Sequence, residues 1–576
     1  MFGWTGRTIT VDLGSRSVLE SKTDVKTAKE YIGGRGMGVK ILSDMVSPTI
    51  DPLSPENPLV ITTGPLTGTS APMSGRHSIT TKSPLTGTIF DSSAGGFFGK
   101  EMKFAGIDAL IITGKADAPV YLHIDDEDVE IVPAAHLWGM NSRETTSALE
   151  SYGRVSCIGR AGERQVGIAN IMNDHVHACG RGGLGAVAGS KNLKAIVVRG
   201  SNKPEIAEDA AFAEAKERAM RLLRASPVTS NGLKNYGTSV LVNLMNYMKI
   251  LPTDNFRSRQ FKGAGSVSGE YINDNYDIKR HSCYNCPTGC KRSIRKSEVE
   301  IPEYETVWAF GPDIGNEDMD SIIRANRLCN EYGMDTISCG STIAAYSEFT
   351  SIGIGPAQLD ELVVQIGEGE CELGAGSRAY LRLKGAEELS MSSKGLEFPG
   401  YDPRGILGQA LGYATSNRGG CHLRAYMVAP EIIGKPKLID RLTFSGKAGL
   451  VQVFQNIAAA VDSLAVCKFG SFAMGEEELA ALLSAMTGVH YSPQDLLRVG
   501  ERIWNLERMF NIGAGFTRAD DSLPARMFED GGMGIGDGMG ISRDEFENTL
   551  TEYYYYRGWN EDGVPTNKKS KELGIS

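Results

Sequence analysis

The sequence has no cysteine before Cys157, no apolar run near the roughly 18 residues that span a bilayer, and no excess of basic charge. Each absence excludes something. Ten cysteines in 576 residues do not make the dense framework of a small secreted domain. They read as reduced thiols, some of them free to hold a metal. With 60 Lys and Arg against 70 Asp and Glu, the net charge of −10 has the wrong sign for generic binding to nucleic-acid phosphates. Residues 1–7 carry neither the basic nor the apolar segment of an export signal. The chain therefore reads as cytoplasmic, with no membrane and no nucleic-acid partner. Prolines are few, at 23, and there is no G-X-Y period, which excludes collagen. With 41% hydrophobic and 23% charged residues, a disordered chain and a coiled coil are excluded too. What is abundant is glycine, 69 residues, which points to tight turns and to places where backbone comes close to a ligand.

The chain changes character near residue 207. Before it, short apolar or alternating runs predict strands at 7–13, 59–63, 109–113 and 193–199, with a hairpin over 121–132 turning at Asp125-Asp126-Glu127-Asp128. After it, helical periodicity predicts helices at 208–224, 318–332, 335–350, 357–366, 444–462, 475–487, 493–510 and 542–556. A second boundary falls near 391. The expected organisation is 1–207, 208–391 and 392–576. The glycine-rich run 531–540 reads as a plain surface loop, because no strand precedes it and no Lys-Ser/Thr follows.

Cys283-Tyr-Asn-Cys286-Pro-Thr-Gly-Cys290 places three thiols within eight residues. An iron–sulfur cubane needs four thiolates, one per iron, so a fourth must come from elsewhere. The sequence offers Cys329, Cys339, Cys421 and Cys467. A Cys3His zinc site using His281 is the alternative. Three loops, 64–76, 92–96 and 177–185, combine glycines with hydroxyls or arginines, including Arg76 and Arg181. Backbone nests and guanidiniums of this kind suit a phosphate-bearing ligand. Pro302-Glu303-Tyr304-Glu305 and Asn417-Arg418-Gly419-Gly420-Cys421-His422 add two carboxylates and a loop histidine.

Together these motifs resemble the tungsten-containing aldehyde:ferredoxin oxidoreductases nearly end to end. The most specific stretches are 64–76, 180–194, 283–290, 302–308, Tyr401-Asp402-Pro403-Arg404-Gly405, 412–422 and 462–467. The resemblance implies an α+β fold, with an N-terminal β-sheet base domain carrying the pterin cofactor and two mainly α-helical domains covering it. It implies tungsten held by the dithiolenes of two pterins, magnesium bridging their phosphates, and one 4Fe–4S cluster whose fourth ligand is Cys467 beside Cys283, Cys286 and Cys290. By position, Arg76, Ser93, Gly95, His177 and Ala178 contact the pterin from the base. Asn330, Asp335, Arg424, Asp462 and Val466 hold it from the helical side. Several positions depart from the family pattern: Asn330 stands for Asp, Ala465 for Gly, Ser93 for Asn, His177 for Arg and Arg424 for Lys.

Glu305 resembles a family carboxylate beside the metal, and His422 a histidine aimed at the substrate carbonyl. The implied activity is oxidation of small aldehydes to carboxylic acids, with ferredoxin or an iron–sulfur electron-transfer subunit as partner. Within the family, the alternative is a catalytic tungstopterin subunit of a larger complex, such as an aromatic-ring thioester reductase. Outside it, the alternative is a zinc-stabilised protein without redox activity. Where relatives bridge two subunits through an iron held by Glu-x-x-His, this chain has Arg324 and Arg327. Guanidiniums offer a cation no lone pair, so the expected homodimer lacks a bridging iron.

Overall fold

The computed structural model describes residues 1–529 and 540–575. The glycine-rich run 531–540 thus lies, apart from Gly540, outside the described residues. The N-terminal region is built on two six-stranded mixed sheets. The first contains β1 (Arg7–Asp12), β2 (Ser17–Lys22), β3 (Leu59–Thr62), β4 (His77–Lys82), β5 (Ile89–Ala94) and β6 (Ala109–Thr113), in the order β2-β1-β6-β3-β4-β5. The second contains β7 (Val120–Asp125), β8 (Asp128–Pro133), β9 (Arg154–Cys157), β10 (Ile171–Asn173), β11 (His177–Cys179) and β12 (Leu193–Arg199), in the order β11-β10-β9-β12-β7-β8. Each sheet holds one parallel pair, β1 with β6 and β7 with β12. The predicted strands and the hairpin at Asp125–Asp128 are all present. Alternation puts Ile9 and Val11 of β1, and Leu122 and Ile124 of β7, into one apolar core shared by both sheets.

Residues 1–205 also contain helices that strand-like patterning hid. Gly34–Met45 is the largest. Its first turn, Gly34-Arg35-Gly36, has no apolar periodicity, and its glycines serve close approach. A Cβ at Gly34 would sit 2.2 Å from the Asp462 carbonyl oxygen. The helix therefore packs its N-terminal turn directly on the segment after residue 461.

Beyond residue 207 the chain is mainly helical. Local signals set the ends. Asp318, Asp335, Ser492 and Ser542 cap helices through their side chains, and Pro356 and Pro493 open theirs. Gly333, Gly488 and Gly558 end helices in the left-handed conformation. Most of these helices share a large core containing Trp308, Tyr304, Phe398, Tyr413 and Trp504, while Asp209–Ala225 and Glu476–Thr487 pack with Gly34–Met45 in another. A short antiparallel hairpin, β13 (Ile278–His281) and β14 (Lys291–Ile294), stands apart from both sheets. Its connecting loop holds the cysteine motif. No helix among the described residues is long and apolar enough to cross a membrane.

Candidate functional site

The loop between β13 and β14 is held against the base by backbone contacts. Tyr284 N–H donates to Gly96 O (3.2 Å), Met73 N–H to Asn285 O (2.9 Å), and the Tyr284 hydroxyl to Gly68 O (3.0 Å). The same base loop receives the far end of the chain, because Cys467 N–H donates to Met73 O at 3.2 Å. Cys283, Cys286, Cys290 and Cys467 thus meet at one edge of the base, all half-buried. Gly95 belongs to this locus, since a Cβ there would lie 2.8 Å from Cys283 Sγ. The other cysteines lie elsewhere. Cys329 and Cys339 are buried together between two helices, and Cys421 Sγ accepts from Arg418 at 2.9 Å.

Among the described residues, no three His, Cys, Asp or Glu side chains converge as ligands of a single ion. A cubane asks for a different arrangement, one thiolate at each of several separated irons. Burial raises the thiols of Cys283 and Cys286, and Arg76 pulls both back towards the thiolate form. Arg76 Nη2 lies 3.7 Å from Cys467 Sγ and Nη1 donates to Ser93 O at 3.2 Å, while Nε is buried without a partner.

His177, on β11, and Ser93, on β5, flank that arginine from the two sheets. A Cβ at Gly96 would meet the His177 ring at 2.7 Å, and Gly95 sits 3.8 Å from its Nδ1 by the same measure. Burial holds His177 well below its ordinary pKa, helped by Lys291 and Arg76, so the ring is neutral. Ala178 follows it, half-buried, and pairs with Met172.

On the helical side, Asp335 caps its helix and accepts from Arg181 Nε at 3.0 Å. Arg181 also donates to Gly420 O (3.1 Å) and Glu397 O (2.9 Å), tying the short turn Gly333–Asp335 between two helices to the loop that carries His422. Asn330 lies within the helix Met319–Tyr332, and its carbonyl accepts from Ser142 at 2.6 Å, outside the Arg181 network. Asp462 lies in the last turn of the helix Lys447–Ser463, so only the residues after it form the expected loop; it receives Arg424 Nη1 at 2.9 Å, Arg35 at 3.5 Å and Lys468. Burial alone would raise this carboxyl; Lys468, Arg424 and Arg35 together pull it below the usual range. Val466 is buried next to it.

Arg35, Asp91, Glu507 and Lys468, which the sequence pattern did not single out, complete the network. Arg35 grips Glu507 through two 2.7 Å bonds across 472 residues of sequence. Gly34-Arg35-Gly36 has the glycine–arginine signature of Gly75-Arg76, which was the available signal.

These cations crowd one another. Burial, then Arg35 and Arg418, lower the Arg424 guanidinium, and burial brings Lys468 down to about 8. Arg76 Nε and Arg418 Nε are buried and unpartnered. An anionic group carrying phosphates would offset this repulsion and take up those donors, so the residues present fit a pterin phosphate ligand.

Ala465, between the anchors Asp462 and Cys467, adopts φ +56°, in the left-handed region. A Cβ costs roughly 1–2 kcal/mol there, about the scale of glycine's own entropic penalty. Ala465→Gly should therefore leave the melting temperature unchanged or raise it slightly. A clear fall on thermal denaturation would show that the methyl contributes packing that outweighs the strain.

Glu305 lies in the first turn of the helix Tyr304–Phe310. Its Oε2 accepts from Gly400 N–H at 2.9 Å, and its Oε1 is buried without a hydrogen bond, 3.5 Å from His422 Nε2. Burial raises Glu305 to about 7, although Gly400, Arg181 and Tyr401 each pull it down. His422 is held well below its ordinary value by burial and by Arg181, Arg418 and Lys468, and its Nδ1 is unpartnered. The contact therefore joins a carboxyl poised near neutrality to a neutral imidazole, not two full charges. Tyr401 and Tyr426 flank the His422 ring at 5.4 and 5.8 Å, and Phe472 packs on Tyr426 at 5.9 Å.

Comparison with known proteins gives the class of this chain, an oxidoreductase. The chain belongs to the aldehyde ferredoxin oxidoreductase family. Residues 8–200 match that family's N-terminal domain, and residues 214–575 match its domains 2 and 3. The chain is 43% identical to the tungsten-containing aldehyde ferredoxin oxidoreductase of Pyrococcus furiosus, covering 100% of both chains. It is 41% identical to that of Thermococcus kodakarensis, again over 100% of both. It is 28% identical to the WOR-like subunit of an aliphatic sulfonate oxidoreductase from Pyrococcus furiosus, over 100% of this chain and 97% of that one. Among solved structures, it matches the active site complex BamBC of benzoyl coenzyme A reductase in complex with 1,5-dienoyl-CoA. The TM-score is 0.86 at 24% identity, over 100% of this chain and 97% of the other. At that identity the likeness is one of fold.

Proposed function

We propose that this chain oxidises aldehydes to carboxylic acids on a tungsten–pterin group and passes the electrons through a 4Fe–4S cluster to ferredoxin. The division at 207 and 391, and magnesium between the pterin phosphates, belong to the same reading. The observation that carries it is the Glu305–His422 pair, a buried carboxyl with one free oxygen near pKa 7 beside a neutral ring. Bound between the arginines of the base and the 330–335 and 462–467 segments, the tungsten–pterin would supply the two-electron acceptor, with the cluster at the four cysteines as the one-electron exit.

The residues of the chain supply the rest. Converting RCHO and water to RCOOH releases two protons and two electrons. Glu305, fixed by Gly400 through Oε2, presents Oε1 to take the proton of the attacking water. His422, neutral, donates its ring N–H to the carbonyl oxygen, where negative charge develops. Tyr401, Tyr426 and Phe472 exclude water from around the reacting carbon and give an apolar wall for the aldehyde's substituent.

The test is tungsten and iron analysis of purified protein, together with aldehyde-dependent reduction of a viologen dye. Turnover by tungsten-loaded protein is expected; tungsten-loaded protein that oxidises no aldehyde in a broad panel overturns the reading.

The same measurement bears on assembly. Arg324 pairs with Asp360 (2.8 Å) and Arg327 with Glu331 (2.7 Å), so both guanidiniums are committed within one chain. Iron analysis should give about four irons per chain, from one cubane. A reproducible further half-iron that disappears on mutating the helix Met319–Tyr332 would contradict this.

A further inference from the structure

The hairpin that carries the cysteine loop is rich in basic residues, only some of which the fold uses: Lys291 donates to Val176 O and Arg292 to Lys234 O, both at 3.1 Å. Residues 277–298 contain six Lys and Arg against two acids, in a chain whose net charge is −10. The register sets Arg280 directly opposite Arg292 and His281 opposite Lys291. Like charges facing each other across a strand pair are destabilising. The inner member of the Arg280–Arg292 pair is fixed, since Arg292 is buried and bonded to Lys234 O while Ile278 and Ile294 pack on the helical core, which leaves Arg280 as the outward cation. Arg280, His281, Arg295 and Lys296 are exposed.

Several neighbours are partly neutralised. Lys279 pairs with Glu298 (3.1 Å), Arg295 with Asp277 (3.2 Å) and Lys291 with Glu303 (3.2 Å). The first two pairs are exposed and such pairs are worth little, whereas Lys291 is held inward by its further bond to Val176 O. Among the described residues, Arg280 and Lys296 have no ion-pair partner. The loop between the strands is itself accessible. Ser282 and Asn285 are exposed, and Cys283, Cys286 and Cys290 are only half-buried.

We infer that the β13–β14 hairpin is the docking face for an acidic one-electron carrier, with Arg280 and Lys296 as its principal contacts. The inference rests on the functional reading above and adds to it the surface through which electrons leave. A chain of net charge −10 repels an acidic protein over most of its surface. Arg280 lies at the cysteine-loop end of the ribbon and Lys296 in the turn at its other end, so the two mark a basic stripe along the hairpin that fits within one protein footprint of about 800 Å² and reaches the thiols at the Arg280 end. Glu298 and Asp277 can release their partners to the carrier's carboxylates at small cost. Nothing covalent is required: one electron passes per encounter, and two encounters complete each aldehyde oxidation.

The test uses the metal-loaded protein and an acidic 4Fe–4S ferredoxin. In the double variant Arg280→Glu and Lys296→Glu, the Kd for ferredoxin by calorimetry should weaken roughly tenfold or more at low salt, about 1.4 kcal/mol. The KM for ferredoxin should rise in step while kcat at saturation holds. Reduction of viologen, a small cation, should stay within about twofold of wild type, because it needs no basic face. Arg280→Gln with Lys296→Gln should show a smaller effect of the same sign. Wild-type affinity should fall with added salt, and that of the charge-reversed variant should fall less.

Unchanged Kd and KM in the double variant overturn the inference. So does an equal loss with both acceptors, which would make the hairpin structural. If wild-type protein reduces no viologen with any aldehyde, the functional reading fails, and the docking face is then judged on Kd alone.

Discussion

Glu305→Gln should lower aldehyde-dependent viologen reduction by roughly 10²–10⁴-fold, the usual worth of a general base. Glutamine keeps the size of the side chain and can still accept from Gly400 N–H through its carbonyl oxygen. It cannot take a proton from water. Tungsten and iron contents should be those of wild type, because Glu305 sits by His422 and Gly400, not among the thiols. The pH dependence gives a second readout. The base must be ionised, so wild-type kcat/KM should fall as pH drops through about 7, and the variant should lose that limb.

Stability should move the other way. Folding raises this carboxyl from 4.5 to about 7. The folded state thus holds the proton more tightly, and that stabilisation is present below pH 4.5 and lost as pH rises through 7. Above 7 the buried charge is a cost, so the metal-free glutamine variant should melt higher than wild type at pH 8. Near-wild-type turnover at full tungsten occupancy would sink the assignment. His422→Asn should also slow turnover, since the amide cannot reproduce the ring N–H geometry at the carbonyl oxygen.

Cys467→Ala should abolish or degrade the iron–sulfur centre even though the residue lies 177 positions beyond Cys290. Three local thiols leave one iron without a protein ligand. Arg76 sharpens the expectation. Burial alone would lower the guanidinium's pKa, and Cys467 and then Cys283 hold it up, so removing Cys467 strips this buried cation of its largest stabilising neighbour. The variant should lose iron, the visible absorption of the cluster, and electron transfer to ferredoxin. Cys329→Ala should leave all three intact, because that thiol is buried against Cys339 between helices. An unchanged reduced-cluster EPR signal in Cys467→Ala would assign the fourth ligand elsewhere. Stoichiometric zinc with no cluster absorption in wild-type protein would replace the cluster by a structural zinc site.

Local chemistry alone determined a good part of this protein. The hairpin at Asp125–Asp128, the strands of the base and the eight long helices follow from side-chain period and from capping residues such as Asp335, Ser492 and Gly488. These signals act within one turn or one strand pair, so they survive in the order of residues. The C-x2-C-x3-C spacing shows three thiols for the same reason. Where glycine replaced the apolar period, as in Gly34–Met45, the helix was not legible; Gly34 answers to the Asp462 backbone, Gly36 to Tyr31 and Ser463, and Gly38 to Thr80, most of them far away in sequence.

The site itself was decided by tertiary structure. Arg35 meets Glu507, Arg76 meets Cys467, and Glu305 meets both Gly400 and His422 only after the helices close on the two sheets. The residue types at those positions were readable, but their partners and their protonation were not. A carboxyl near pKa 7, a neutral imidazole and a crowd of buried guanidiniums arise from desolvation and from neighbours brought in by packing, and no run of consecutive residues encodes the dielectric around a side chain.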